Sequence, residues 1–135
     1  MDSRELILLI QLKKCWNELN TVHLERYISE NVIYESQYVL NPLTDKKAVL
    51  KYLREKFFNI RNHMKTELIL INATIGYLPS MKMRSCIVLS QIIGTAMNQS
   101  TVLIESKNSL ISRIDVCIIP PPVDVMFENI EINFN

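Results

Sequence analysis

The chain reads as an α+β protein, with three N-terminal helices packed in the concave face of a curved antiparallel sheet. Three observations lead there. Residues 3–60 carry apolar side chains mostly at helical spacing, interrupted by one short stretch of strand period. From His63 onward the period changes, and runs rich in Ile, Leu and Val take over. The separators between those runs are short, so consecutive strands pair antiparallel.

Asp2 is placed to cap the first helix, and Glu5 to reach back in a capping box. Leu6, Leu9, Ile10 and Trp16 form one apolar stripe; Leu8, Leu12, Cys15 and Leu19 form a second beside it. So broad a face is either wrapped by a curved sheet or shared with another subunit. Asn20 and Thr21 break the pattern and cap a short second helix carrying Leu24, Tyr27 and Ile28.

Residues 32–39 alternate as a strand. Val32, Tyr34, Ser36 and Tyr38 share one face, and Ile33, Glu35, Gln37 and Val39 the other. Thr44 is expected to cap the third helix, whose buried stripe is Val49, Leu50, Leu53, Phe57 and Ile60. Its lysines and arginines, Lys56 included, read as a solvated face. Four strands follow, over residues 65–77, 83–97, 100–106 and 110–119. Leu78-Pro79-Ser80, Asn98-Gln99 and Lys107-Asn108-Ser109 serve as their turns. Pro120-Pro121-Pro122 ends the sheet. Residues 1–122 therefore form the domain, and 123–135 an extended tail in which Ile130, Ile132 and Phe134 alternate at strand period.

A hydrophobic fraction of 48% and a charged fraction of 21% belong to a globular core, and a net charge of +1 does not point to nucleic acid. The run Leu6–Ile10 is too short for a signal peptide or a membrane span, so no membrane partner is expected. Cys15, Cys86 and Cys117 are far apart, an odd set that fits free thiols and a cytoplasmic location. With two glycines there is no phosphate-cradling loop, and His23 and His63 are too isolated to suggest a metal site. No cofactor is expected.

The order helix, short helix, strand, helix, four strands resembles the nuclear transport factor 2-like superfamily, with its ketosteroid isomerase-like and SnoaL-like polyketide cyclase groups. The residues carrying the resemblance are Trp16-Asn17-Glu18-Leu19, Asn31-Val32-Ile33-Tyr34-Glu35-Ser36, the helix from Asp45 to Phe58, and Leu110-Ile111-Ser112-Arg113-Ile114. It implies a cone-shaped, cystatin-like α+β roll with a ligand pocket between helices and sheet. The isomerase-like members place a tyrosine donor where Trp16 stands and an aspartate base where Ser36 stands; a second donor falls near Thr101. A serine with no partnered base cannot take a proton from carbon.

The expected function is thus binding of a small apolar ligand in the cone, without that acid–base set. The pocket candidates are Trp16, Tyr34, Ser36, Tyr38, Tyr52, Gln91 and Thr101. One alternative is a SnoaL-like or isomerase-like enzyme working through Glu35, Glu67, Asp115 or Gln91, which would need a carboxylate facing the cone. A Cys86–His63 nucleophile pair is a weaker variant, since buried cysteines are usually inert. The other alternative is a dimerisation or interaction module. Apolar residues on both faces of strand 83–97, including Ile87-Val88-Leu89, suggest a homodimer joined through the sheet.

Overall fold

The computed structural model describes residues 3–38 and 41–127. Helix α1 (Ser3–Glu18) leads through a single 3-10 turn (Thr21–His23) into strand β1 (Ile28–Ser36). Helix α2 (Lys46–His63) follows, then β2 (Ile69–Leu78), β3 (Arg84–Ile93), β4 (Ala96–Lys107) and β5 (Leu110–Cys117). The five strands form one sheet in the order β1-β5-β4-β3-β2. All neighbours are antiparallel except β1 and β5, which run parallel.

Two helices cover the sheet, not three. The segment expected to be the second helix makes only one tight turn, in which the Asn20 side chain accepts from the Val22 amide and the Leu24 amide bonds Thr21. A lone short helix is marginal, and here β-branched Thr21 and Val22 stand at its start. Ile28 is instead recruited into β1, opposite Ile111. The strand therefore begins four residues before the expected Val32, and it ends at Ser36; Val39 lies outside the described residues. Asp45, not Thr44, caps α2 through a 2.7 Å bond from the Ala48 amide. The capping box at Asp2 and the alternating segment Ile130–Phe134 also lie outside the described residues.

The turn between β3 and β4 is Gly94-Thr95, and Gly94 supplies the positive φ of 61° that a two-residue hairpin needs. Asn98 and Gln99, expected as that turn, lie inside β4 opposite Gln91 and Ser90. The β4–β5 turn falls where expected, with Asn108 and Ser109 both in the left-handed region.

The inner face of the sheet carries the main core. Leu8, Leu9, Leu12, Cys15 and Trp16 of α1 meet Val49, Leu53 and Phe57 of α2 over Ile87, Leu89, Val102, Ile104 and Ile114. The broad face of α1 is therefore absorbed by the sheet and α2, while Ile7, which lies on neither stripe, is exposed. The outer face holds a second cluster: Cys86, Val88, Leu103 and Cys117 under Leu78 and Val125. Ile87, Val88 and Leu89, which read as a surface for partners, are all buried within the chain.

Val125 belongs to a strap, residues 118–127, that leaves β5 and reaches the far edge of the sheet. There Met126 exchanges two 2.8 Å backbone bonds with Tyr77 of β2. The same edge is closed at Ala73 by the Asn17 side chain of α1, which donates to the Ala73 carbonyl at 3.0 Å and accepts from its amide at 2.7 Å. Both contacts use backbone groups that an edge strand otherwise leaves open. Within this strap Val125 is buried against the body and Met126 is bonded to it, while Val123, Asp124 and Phe127 stay exposed.

Candidate functional site

α1 packs over β2 and α2 over β1, the two edge strands of the sheet, and a space lies beside them above the sheet. It is a cavity of about 370 Å³ lined by Trp16, Tyr34, Ser36, Tyr38, Tyr52, Lys56, Leu89, Gln91, Asn98, Ser100 and Val116. That volume is within the usual range for small-molecule sites.

Each wall follows from local sequence. Trp16 ends the apolar stripe of α1 and meets Phe57 of α2 edge to face, with ring centroids 5.0 Å apart. Tyr34 and Ser36 project from the inner side of β1, whose outer edge is held by paired 2.8 Å bonds between Tyr34 and Leu43. The Tyr34 ring leans on Tyr52 at 5.4 Å. Lys56, one turn after Tyr52, lies over the Tyr52 ring at 6.0 Å. Gln91 and Asn98 face each other across β3 and β4. Tyr38 is largely exposed at the rim, where its hydroxyl donates to the Gln99 carbonyl at 3.3 Å.

Burial pushes the Tyr34 hydroxyl well above the ordinary phenol range, and the neighbouring Tyr52 adds to it. Tyr34 therefore stays a neutral hydrogen-bond donor. Cys15, in the core behind this wall, is pushed up to about 12 by burial first and by Glu25 second. A thiol so held is not a nucleophile.

Six of the seven pocket candidates line this one cavity: Trp16, Tyr34, Ser36, Tyr38, Tyr52 and Gln91. Thr101 does not. It pairs with Val88 and Cys117 and faces outward, fully buried, with its hydroxyl lacking a hydrogen-bond partner among the described residues. Ser100 holds the inward place, because one residue along a strand is the other face. Asn98, Ser100 and Lys56 were missed. Asn98 looked like a turn residue, and Lys56 like part of a solvated stripe. The available signal was Gly94, which moves the turn and puts Asn98 in the ladder beside Gln91.

The carboxylates suspected of catalysis are elsewhere. Glu35 and Asp115 both bind Arg113 on the outer side of the sheet, Asp115 at 3.0 Å from its Nε. Glu67 precedes β2 and is exposed. Cys86 is buried in the outer cluster and pushed up to about 11 chiefly by desolvation, while His63 is exposed at the end of α2 and bonds Asn59. They form no pair. Among the described residues that line the cavity there is no carboxylate and no imidazole. What the lining offers is aromatic surface, hydroxyl and amide donors, and one ammonium.

No protein-family model matches the sequence, and no curated protein does. Solved structures do share the fold. A de novo designed protein with a curved β-sheet superposes with a TM-score of 0.57 at 13% identity, covering 86% of each chain. A candidate polyketide cyclase from Sinorhizobium meliloti superposes with a TM-score of 0.56 at 10% identity, over 87% of this chain and 100% of that one. The fold is similar to that of the cyclase. At such identities the likeness is one of architecture, and architecture does not carry an activity with it. Among the described residues no helix is long and apolar enough to cross a membrane.

Proposed function

We propose that this protein binds a small organic molecule with an aromatic or otherwise planar apolar body in the cavity between its helices and sheet, and that it does so without the isomerase acid–base set. The observation carrying this reading is the convergence of Trp16, Tyr34 and Tyr52, from three separate elements, on one space of about 370 Å³. Apolar walls with a few polar groups are the usual make-up of a ligand site. The cyclase likeness supports a cone that accommodates small molecules, and the resemblance to SnoaL-like proteins supports the same.

Trp16 is the single tryptophan of the chain, so it reports on its own cavity. Titration with 2-naphthylmethanol should quench or shift its emission and raise the melting temperature by mass action. Gln91→Trp, which fills the space from the sheet side, should abolish the melting shift. Unchanged binding by that variant would place the site elsewhere and end this reading.

For the outer face we propose contact with a second copy of the chain. Leu70, Ile92 and Met97 are direct cross-strand partners on β2, β3 and β4, and Leu70 and Met97 are more than half exposed. The strap covers only the opposite end of this face, so the surface available for pairing is smaller than the alternation in β3 suggested. Sedimentation at micromolar concentration should show a dimer that Met97→Lys weakens. A single monomeric species across that range removes the dimer from the proposal.

A further inference from the structure

We infer that the ligand of this cavity is an organic anion, its planar body against Trp16, Tyr34 and Tyr52 and its acidic group held by Lys56 with the Gln91 and Asn98 amides. The inference rests on the small-molecule reading and adds the charge of what is bound.

Three features of the lining carry it. Lys56 brings the only formal charge among the described residues that line the cavity. A lysine is cationic at neutral pH, and a cation beside a partly enclosed space attracts an anion more strongly than one in open water. Second, Lys56 has no carboxylate partner among the described residues, although the same helix pairs Lys46 with Glu30 and Arg54 with Glu25. Its ammonium lies over the face of Tyr52, which orients it and leaves its donors open. Third, the side chains of Gln91, Asn98 and Ser100 make no hydrogen bond to other described residues, while nearby Gln99 and Ser90, on the outer face, satisfy each other at 3.0 Å. Donors left open toward one space, next to an unpaired ammonium and without an opposing carboxylate, match a carboxylate, enolate or sulfonate oxygen. A neutral apolar guest would bury those donors unsatisfied, which is costly.

The test compares 2-naphthoate with its neutral counterpart 2-naphthylmethanol by calorimetry at low ionic strength, on wild type, Lys56→Met and Lys51→Met. Lys51 is exposed on the same helix and absent from the cavity wall. Wild type and Lys51→Met should prefer the naphthoate by at least tenfold. Lys56→Met should lose that preference while still binding the alcohol, and circular dichroism should show it folded. Equal affinity for the two probes in wild type, or a preference that survives Lys56→Met, overturns the anion assignment and leaves the cavity as a neutral-ligand site. Failure of both probes to bind overturns the assignment together with the small-molecule reading.

Discussion

Trp16→Ala should cost about 3–5 kcal/mol of folding free energy, the range for truncating a large buried aromatic. The side chain is 2% exposed and stands where α1, α2 and the sheet meet. Its edge-to-face contact with Phe57 adds a directional term to the area it buries. The site also has little capacity to collapse. Removing the indole joins its volume to a cavity that is already open, so the surrounding groups gain nothing by moving inward. Urea denaturation followed by circular dichroism measures the effect, because the variant has lost its fluorophore. A loss below about 1 kcal/mol would mean that the helices do not depend on this contact. The same variant should bind 2-naphthylmethanol more weakly, since the largest aromatic wall is gone.

Gly76→Ala should destabilise the chain by about 1–3 kcal/mol, although alanine is ordinarily the better strand residue. A methyl group at position 76 would lie 2.5 Å from Val125 Cγ1, 2.7 Å from the Met126 carbonyl oxygen and 3.1 Å from the Phe127 ring. The first contact can relax by rotation; the second is backbone and cannot. The strap must then lift, which loosens the two bonds between Met126 and Tyr77 and uncovers Val88, Leu103 and Cys117. Glycine is there because another backbone passes close by.

A double-mutant cycle separates this from a propensity effect. In a chain ending at residue 122 the part of the strap that meets Gly76 is gone, so Gly76→Ala should become neutral or mildly stabilising. The truncation should itself lower the melting temperature, because burying a valine such as Val125 contributes about 1.5–3 kcal/mol. Equal costs of Gly76→Ala in the full and truncated chains would disconnect the glycine from the strap.

Much of the fold is written locally. The alternation from Val32 to Ser36 puts Tyr34 and Ser36 on one side whatever the strand pairs with, and both reach the cavity. The stripe of α2 is equally local, as is the turn at Asn108-Ser109, where two left-handed residues close a hairpin. These features depend on neighbours within about one helical turn or one hairpin, and side-chain periodicity records such relations.

Everything that required a distant partner was decided by the tertiary structure. Whether Ser100 or Thr101 faces inward depends on register, and a shift of one residue exchanges the faces. Whether Lys56 is solvated depends on where α2 sits over the sheet, a property of tertiary packing. The parallel pairing of β1 with β5 draws Ile28 into the strand and dissolves the second helix, because a ladder opposite Ile111 outweighs a single helical turn. The outer face looked unpartnered in sequence; one end of it is closed by Val125, which Ile118–Asp124 carry across from β5. Alternation reports that a residue belongs to a face, but only the assembled sheet determines what that face meets.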